Sequence, residues 1–164
     1  MHTTVLWGMT PPVALAILGA GVLLLLGLLS GVWKYVAIMQ SERARAPYYV
    51  DITHRAALMY SFAALVLAAL AYFSLWSVTV NFWAVAANLV YFFAAITTYA
   101  IHGALKDTDN QLRRPHQLGK HQMPSILIQG FMWTLIAAEV GGTLVLLVGA
   151  WLRLWPYLTA LGAY

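Results

Sequence analysis

The sequence contains no cysteine and few charged residues. None of the 164 residues is Cys, and only 9% are Asp, Glu, Lys or Arg. The missing cysteine excludes disulfides, thiolate catalysis, iron–sulfur clusters and Cys-based zinc sites. HExxH spacing, a phosphate-binding glycine loop and a nucleophile elbow are also missing. The sequence therefore offers no motif for a metal-dependent hydrolase, a nucleotide-binding enzyme or a serine hydrolase.

Apolar residues dominate what is present. They make up 62% of the chain, against roughly 45–50% in soluble domains. Because a span needs about 20 mainly apolar residues, the sequence predicts four spans at residues 12–39, 51–76, 80–105 and 124–154. Asp51 is the predicted N-cap of the second span. We expect an all-α fold, with residues 1–164 forming one integral membrane four-helix bundle that is oligomeric.

The basic residues lie in two of the three loops, and this bias predicts the orientation. Eight flank or occupy loops one and three, while only Arg153 lies towards the C-terminal side. The positive-inside rule places loops one and three in the cytoplasm and both termini outside. The formal net charge of +4 therefore indicates contact with lipid headgroups and not with nucleic acid. The eight residues are Lys34, Arg43, Arg45, Arg55, Lys106, Arg113, Arg114 and Lys120.

Two histidines lie within predicted spans. His54 opens the second span, and His102 is near the end of the third, so the two should have similar depth on the same side of the membrane. Ionisable groups at such positions indicate a functional site. A simpler reading is that His54 bonds a headgroup or a carbonyl and that His102 ends its helix.

The third span carries a polar face. Asn88, Tyr91, Ala95, Tyr99 and His102 are spaced by 3, 4, 4 and 3 residues, which aligns them on one side of a helix. Glu139 in the fourth span is a further candidate, although Asn88 and Glu139 are also suited to hydrogen bonds between helices. Two imidazoles near one membrane face, with tyrosines nearby and no cysteine, favour haem over other cofactors.

Several segments resemble styrene oxide isomerase, a family of small bacterial membrane enzymes with four spans. Gly31-Val32-Trp33-Lys34-Tyr35 is similar to the end of the family's first span. Thr53-His54-Arg55-Ala56-Ala57-Leu58 is similar to the segment that holds the family's haem-ligating histidine, and Tyr99 lies where the family has its catalytic tyrosine. The resemblance runs from about Leu23 to Leu154.

The resemblance implies a homotrimer in the bacterial inner membrane, with haem b between subunits and His54 as the iron ligand. It implies that a lipophilic epoxide from the bilayer is converted to an aldehyde or ketone, with ferric haem acting as a Lewis acid. Tyr99, assisted by Tyr60 or Asn88, would stabilise the developing alkoxide. Trp33 is part of the similar segment, and Lys34 and Arg55 could pair with the haem propionates.

Two positions depart from the family pattern. Tyr60 occupies the place of an asparagine that orients the substrate oxygen, and Ala95 occupies the place of a second asparagine. Two alternatives of other classes are also open. One is a b-type haem electron carrier with His54 and His102 as paired ligands. The other is a haem-free accessory subunit of a membrane complex.

Overall fold

The computed structural model describes residues 9–160, and both chain termini lie outside the described residues. Four long helices follow one another, and a short hairpin precedes the last. Each helix is long and apolar enough to cross a membrane. The prediction of an all-α four-helix bundle is confirmed, and the chain is a multi-pass membrane protein. The helices are α1 (Pro11–Met39), α2 (Tyr48–Phe73), α3 (Val78–Leu105) and α4 (Ser125–Ala160), and the strands are β1 (Gln117–Leu118) and β2 (His121–Gln122).

Small residues bring α1, α2 and α3 together in the core. Ala16, Ala57 and Ala64 are completely buried, and larger residues such as Leu23 and Val85 fill the spaces between them. Small side chains let transmembrane helices approach closely, which strengthens their van der Waals packing. The helix α4 packs on α2 and α3, and most of its apolar surface is exposed.

Both ends of α2 and the C-terminal end of α4 differ from the sequence prediction by three or more residues, α2 ending at Phe73. The helix α2 begins at Tyr48, directly after Pro47, so the prediction of Asp51 as an N-cap is wrong. Proline sets a φ angle that suits the start of a helix, and Asp51 instead lies in the first turn. The helix α4 continues through Pro156 to Ala160, beyond the predicted end at residue 154.

The connection between α2 and α3 is tied to α4. The indole Nε1 of Trp76 donates to the carbonyl of Val145 at 2.7 Å, and the backbone N–H of Leu75 donates to Gly149 at 3.1 Å. A Cβ atom at Gly149 would overlap Trp76 and Ser74. Glycine at this position therefore allows the connection to lie against α4.

Candidate functional site

His54 lies in a seat formed by two glycines of α1. Its Nδ1 atom is 2.8 Å from the carbonyl oxygen of Gly27. A Cβ atom at Gly31 would be only 2.9 Å from the His54 Cε1 atom, so the missing side chain leaves room for the ring. The Gly27–Gly31 pattern thus brings α1 and α2 together and positions the imidazole between them.

This seat leaves the other ring nitrogen of His54 free to bind a ligand. A carbonyl oxygen can only accept a hydrogen bond, so Nδ1 carries the proton and the neutral ring has its lone pair on Nε2. Histidines that bind metals commonly donate the second ring N–H to a carbonyl or carboxylate in this way. The described residues contain no group of three His, Asp or Glu side chains that could hold a free metal ion. A single histidine with a free Nε2 is also the kind of donor that haem iron takes as an axial ligand.

The basic residues beside His54 share one carboxylate. Lys34 and Arg55 lie 2.6 and 2.7 Å from the two carboxylate oxygens of Asp51. Two cations and one anion leave a net charge of +1, and the Arg55 side chain is 63% exposed. One positive charge of this group is therefore available to an external anion.

Trp33 lies on a different side of α1. A Cβ atom at Gly103 would be 3.1 Å from its ring, which places Trp33 against α3. The same ring lines an open cavity with basic residues of loop one, among them Arg43 and Arg45. Trp33 is thus separated from the His54 seat, because residues two apart on a helix point in different directions.

The polar face of α3 points at α2 and α4, as its spacing predicts. Tyr99 stacks on Tyr49 of α2 with ring centres 5.9 Å apart. Tyr91 contacts Phe131 of α4 at 5.7 Å. The Tyr60 ring of α2 stacks on Phe92 at 4.3 Å. The tyrosines therefore lie where three helices meet.

Glu139 of α4 lies near these tyrosines, within electrostatic range of Tyr60 and Tyr99. Its Oε1 atom is buried and has no hydrogen-bond partner among the described residues. A carboxyl without a partner inside a span is costly, which marks Glu139 as a functional candidate. The sequence signal that identifies it is that Glu139 is the only acidic residue within the predicted fourth span.

Asn88 is used in the contact between α3 and α4. Its Nδ2 atom donates to Ala84 at 2.9 Å, and its Oδ1 atom accepts from the Thr143 hydroxyl at 3.1 Å. The residue is 1% exposed, and Gly142 gives its amide the space it needs. Both polar atoms of Asn88 already have partners, so its role here is to hold two helices together.

His102 has a carboxylate partner, unlike His54. Its Nδ1 atom is 2.8 Å from Asp107, whose side chain is only 4% exposed. Asp107 belongs to a loop rich in charged residues, but the loop folds back over its carboxylate, which also accepts from the Gly119 N–H. Burial raises the pKa of Asp107, but hydrogen bonds from the Gly119 N–H and from His102 outweigh burial, and the pKa is lowered from its ordinary value.

Within one chain the candidate residues form separate groups. His54 and Tyr60 are six residues apart on α2, which is about 120° around the helix and about 9 Å along it. His54 contacts α1, whereas Tyr60 contacts α3. His102 contacts Tyr49 at 5.2 Å and Asp107 of the loop. Among the described residues the two histidines thus have different neighbours, His54 on α1 and His102 on Tyr49 and the loop.

No protein-family model matches the chain, and neither does any curated protein or solved structure. The resemblance to styrene oxide isomerase therefore stays a prediction that depends on the residues quoted for it.

Proposed function

We propose that this chain is a haem b-dependent membrane isomerase that rearranges a lipophilic aryl or alkenyl epoxide to an aldehyde or ketone. The observation that carries the proposal is the seat of His54 on Gly27 and Gly31. It fixes the tautomer that leaves Nε2 as an iron ligand. Arg55 and Lys34, which share only Asp51, supply positive charge for the propionates.

The tyrosines contribute the second part of the chemistry. The bound cofactor would supply Lewis acidity, which weakens the C–O bond of an epoxide. Tyr99, with Tyr60 beside it, donates a hydrogen bond to the oxygen as negative charge develops there. A hydride or alkyl shift to the neighbouring carbon then completes the rearrangement without any redox change. The rings of Phe92 and Tyr49 keep out water that would otherwise trap the cationic carbon as a diol.

We place the reaction between two copies of the chain. In one protomer His54 faces α1 while Tyr60 and Tyr99 face the junction of α2, α3 and α4. A site that uses both groups therefore needs His54 of one protomer and the tyrosines of another. This is the arrangement that the family resemblance implies, and it favours a homotrimer.

The family resemblance implies a location in the bacterial inner membrane, and the charge bias of the loops supports one orientation there. Loops one and three would face the cytoplasm, and both termini would lie outside. In this setting the partners are membrane lipid and a substrate that enters from the bilayer. Such a route suits an epoxide that partitions into lipid.

The test is a titration of purified protein with haem b, followed by the Soret band. Wild type should bind haem and isomerise styrene oxide, whereas His54→Ala should lose both properties. His121→Ala is the matched control, because His121 is exposed in the hairpin, and it should behave as wild type. Absence of a Soret band in wild type after haem addition, or an unchanged band in His54→Ala, would overturn the proposal.

A further inference from the structure

A cavity lies at the end of α3, beside His102. The half-enclosed cavity of about 270 Å³ is bounded by α3, the α3–α4 loop and the first turns of α4. Eight of its twelve lining residues are Ile, Leu, Met or Phe. His102 is the one ionisable residue among the twelve. An apolar cavity with a few placed polar groups is the usual form of a small-molecule site.

The loop sets the tautomer of the neutral His102 ring through Asp107. Its Nδ1 atom donates to Asp107 Oδ1 at 2.8 Å, and Asp107 Oδ2 accepts from the backbone N–H of Gly119 at 2.6 Å. Because the proton is held on Nδ1, the neutral ring presents a lone pair on Nε2. No described residue donates to that atom. The cavity wall therefore offers a hydrogen-bond acceptor, which selects for a ligand with a donor.

The rim of the cavity indicates how a ligand enters. Leu112 and Leu127 line the cavity and are 50% and 56% exposed. His102 lies near the end of a span, and the polar loop follows it. A molecule that crosses this rim would keep its apolar part among leucines and its polar group at the membrane boundary.

We propose that this cavity binds a lipophilic molecule with a hydroxyl group, such as an alkylphenol, whose O–H donates to His102 Nε2. The ring and alkyl chain occupy the apolar part between α3 and α4. Asp107 is a positioning residue, because it sets the tautomer through Nδ1 and does not touch the ligand. The site is independent of haem binding at His54.

The test compares two probes that differ in one hydrogen-bond donor. 4-Butylphenol can donate a hydrogen bond, whereas 4-butylanisole has the same ring and chain but no O–H. Binding to the full chain in nanodiscs is measured by calorimetry, with empty nanodiscs as the control for partition into lipid. Wild type should bind the phenol about tenfold more tightly than the ether, as expected for one net hydrogen bond.

Two variants separate the hydrogen bond from the cavity. His102→Asn keeps an amide N–H for Asp107 but has no Nε2 atom, so it should bind both probes equally and weakly. Ile128→Trp fills the cavity and should weaken both probes alike. If wild type does not distinguish the probes beyond empty nanodiscs, or if His102→Asn keeps the preference for phenol, the proposal is wrong.

A measurement on wild type covers the case in which His102→Asn does not fold. In protein with ¹⁵N-labelled histidine, 4-butylphenol should shift one imidazole nitrogen signal, and 4-butylanisole should not. No shift at saturating phenol would overturn the proposal.

Discussion

His54 and His102 are the same residue type near helix ends, yet their surroundings give them different chemistry. His54 bonds the backbone carbonyl of Gly27 and packs against Gly31. This contact orients the ring but places no negative charge beside it. His102 faces a buried carboxylate that the loop holds in place. Both partners hold the ring proton on Nδ1 and leave Nε2 free, so the two histidines differ in what surrounds the ring. His102 lines an apolar cavity and has a negative charge beside it, whereas His54 lies between two helices near a group of net positive charge.

Removal of the Tyr99 hydroxyl should have the largest effect on rate. Tyr99 lies on the His102 side of the molecule, since both contact Tyr49. Tyr99→Phe should lower kcat for styrene oxide by about 10²–10³, the usual cost of losing a donor to a developing oxyanion. Haem affinity should not change, whereas His54→Ala should remove it. The measurement is product formation beside a Soret titration, and a parallel loss of haem would contradict the separation of the two sides.

Closure of the His54 seat should weaken haem binding. Gly31→Ala places a methyl group against the ring and should raise the Kd for haem about fivefold or more, because overpacking of such a contact costs about 1–3 kcal/mol. Gly21→Ala is the matched control, since nothing lies within 4 Å of its Cβ position. A Soret titration of both variants measures the difference, and equal affinities would show that the seat does not position His54.

Loss of the carboxylate beside His102 should destabilise the fold. Asp107→Asn places an amide between two donors, His102 and Gly119, and should cost about 1–3 kcal/mol at neutral pH. Asp109→Asn is the control, because its pair with Arg113 is exposed and is worth about 0–1 kcal/mol. Thermal unfolding in detergent gives both values. Similar small losses would mean that the buried pair contributes no more than a surface one.

The same pair predicts a pH dependence. The pKa of Asp107 is lowered on folding, so its contribution to stability is complete above the ordinary value of 3.8 and disappears as pH falls through the folded pKa. The difference in Tm between wild type and Asp107→Asn should therefore shrink as the buffer is made more acidic than pH 3.8. A difference that grows on acidification would contradict the sign of the shift.

The smallest effect is expected at a polar contact remote from both histidines. A double-mutant cycle of Asn88→Ala and Thr143→Ala should give a coupling of about 0.6 kcal/mol, typical of hydrogen bonds between transmembrane helices. Thermal unfolding of the two single variants and the double variant measures it. A coupling near zero would show that the bond from Thr143 to Asn88 does not hold the helices together, and would leave Asn88 available to bind the substrate.

The sequence predicted the fold more fully than the site. Hydropathy located four spans, and the spacing of Asn88 to His102 gave the inner face of α3 correctly. Neither the burial of Asp107 nor the hairpin at residues 117–122 was predicted. Strands of two residues show no periodicity, and the loop around Asp107 has the charged composition of a solvated segment. The partner of each histidine depends on helix packing, which local sequence does not specify.

The central claim is that His54 is the histidine that binds the haem iron, while His102 stays bonded to Asp107 and does not bind iron. The most direct test is electron paramagnetic resonance of the ferric haem complex in wild type and His102→Asn. The account predicts a high-spin signal in both proteins, because His54 is the single protein ligand and the sixth position is open. A low-spin signal in wild type that becomes high-spin in His102→Asn would show paired histidine ligands and contradict the account.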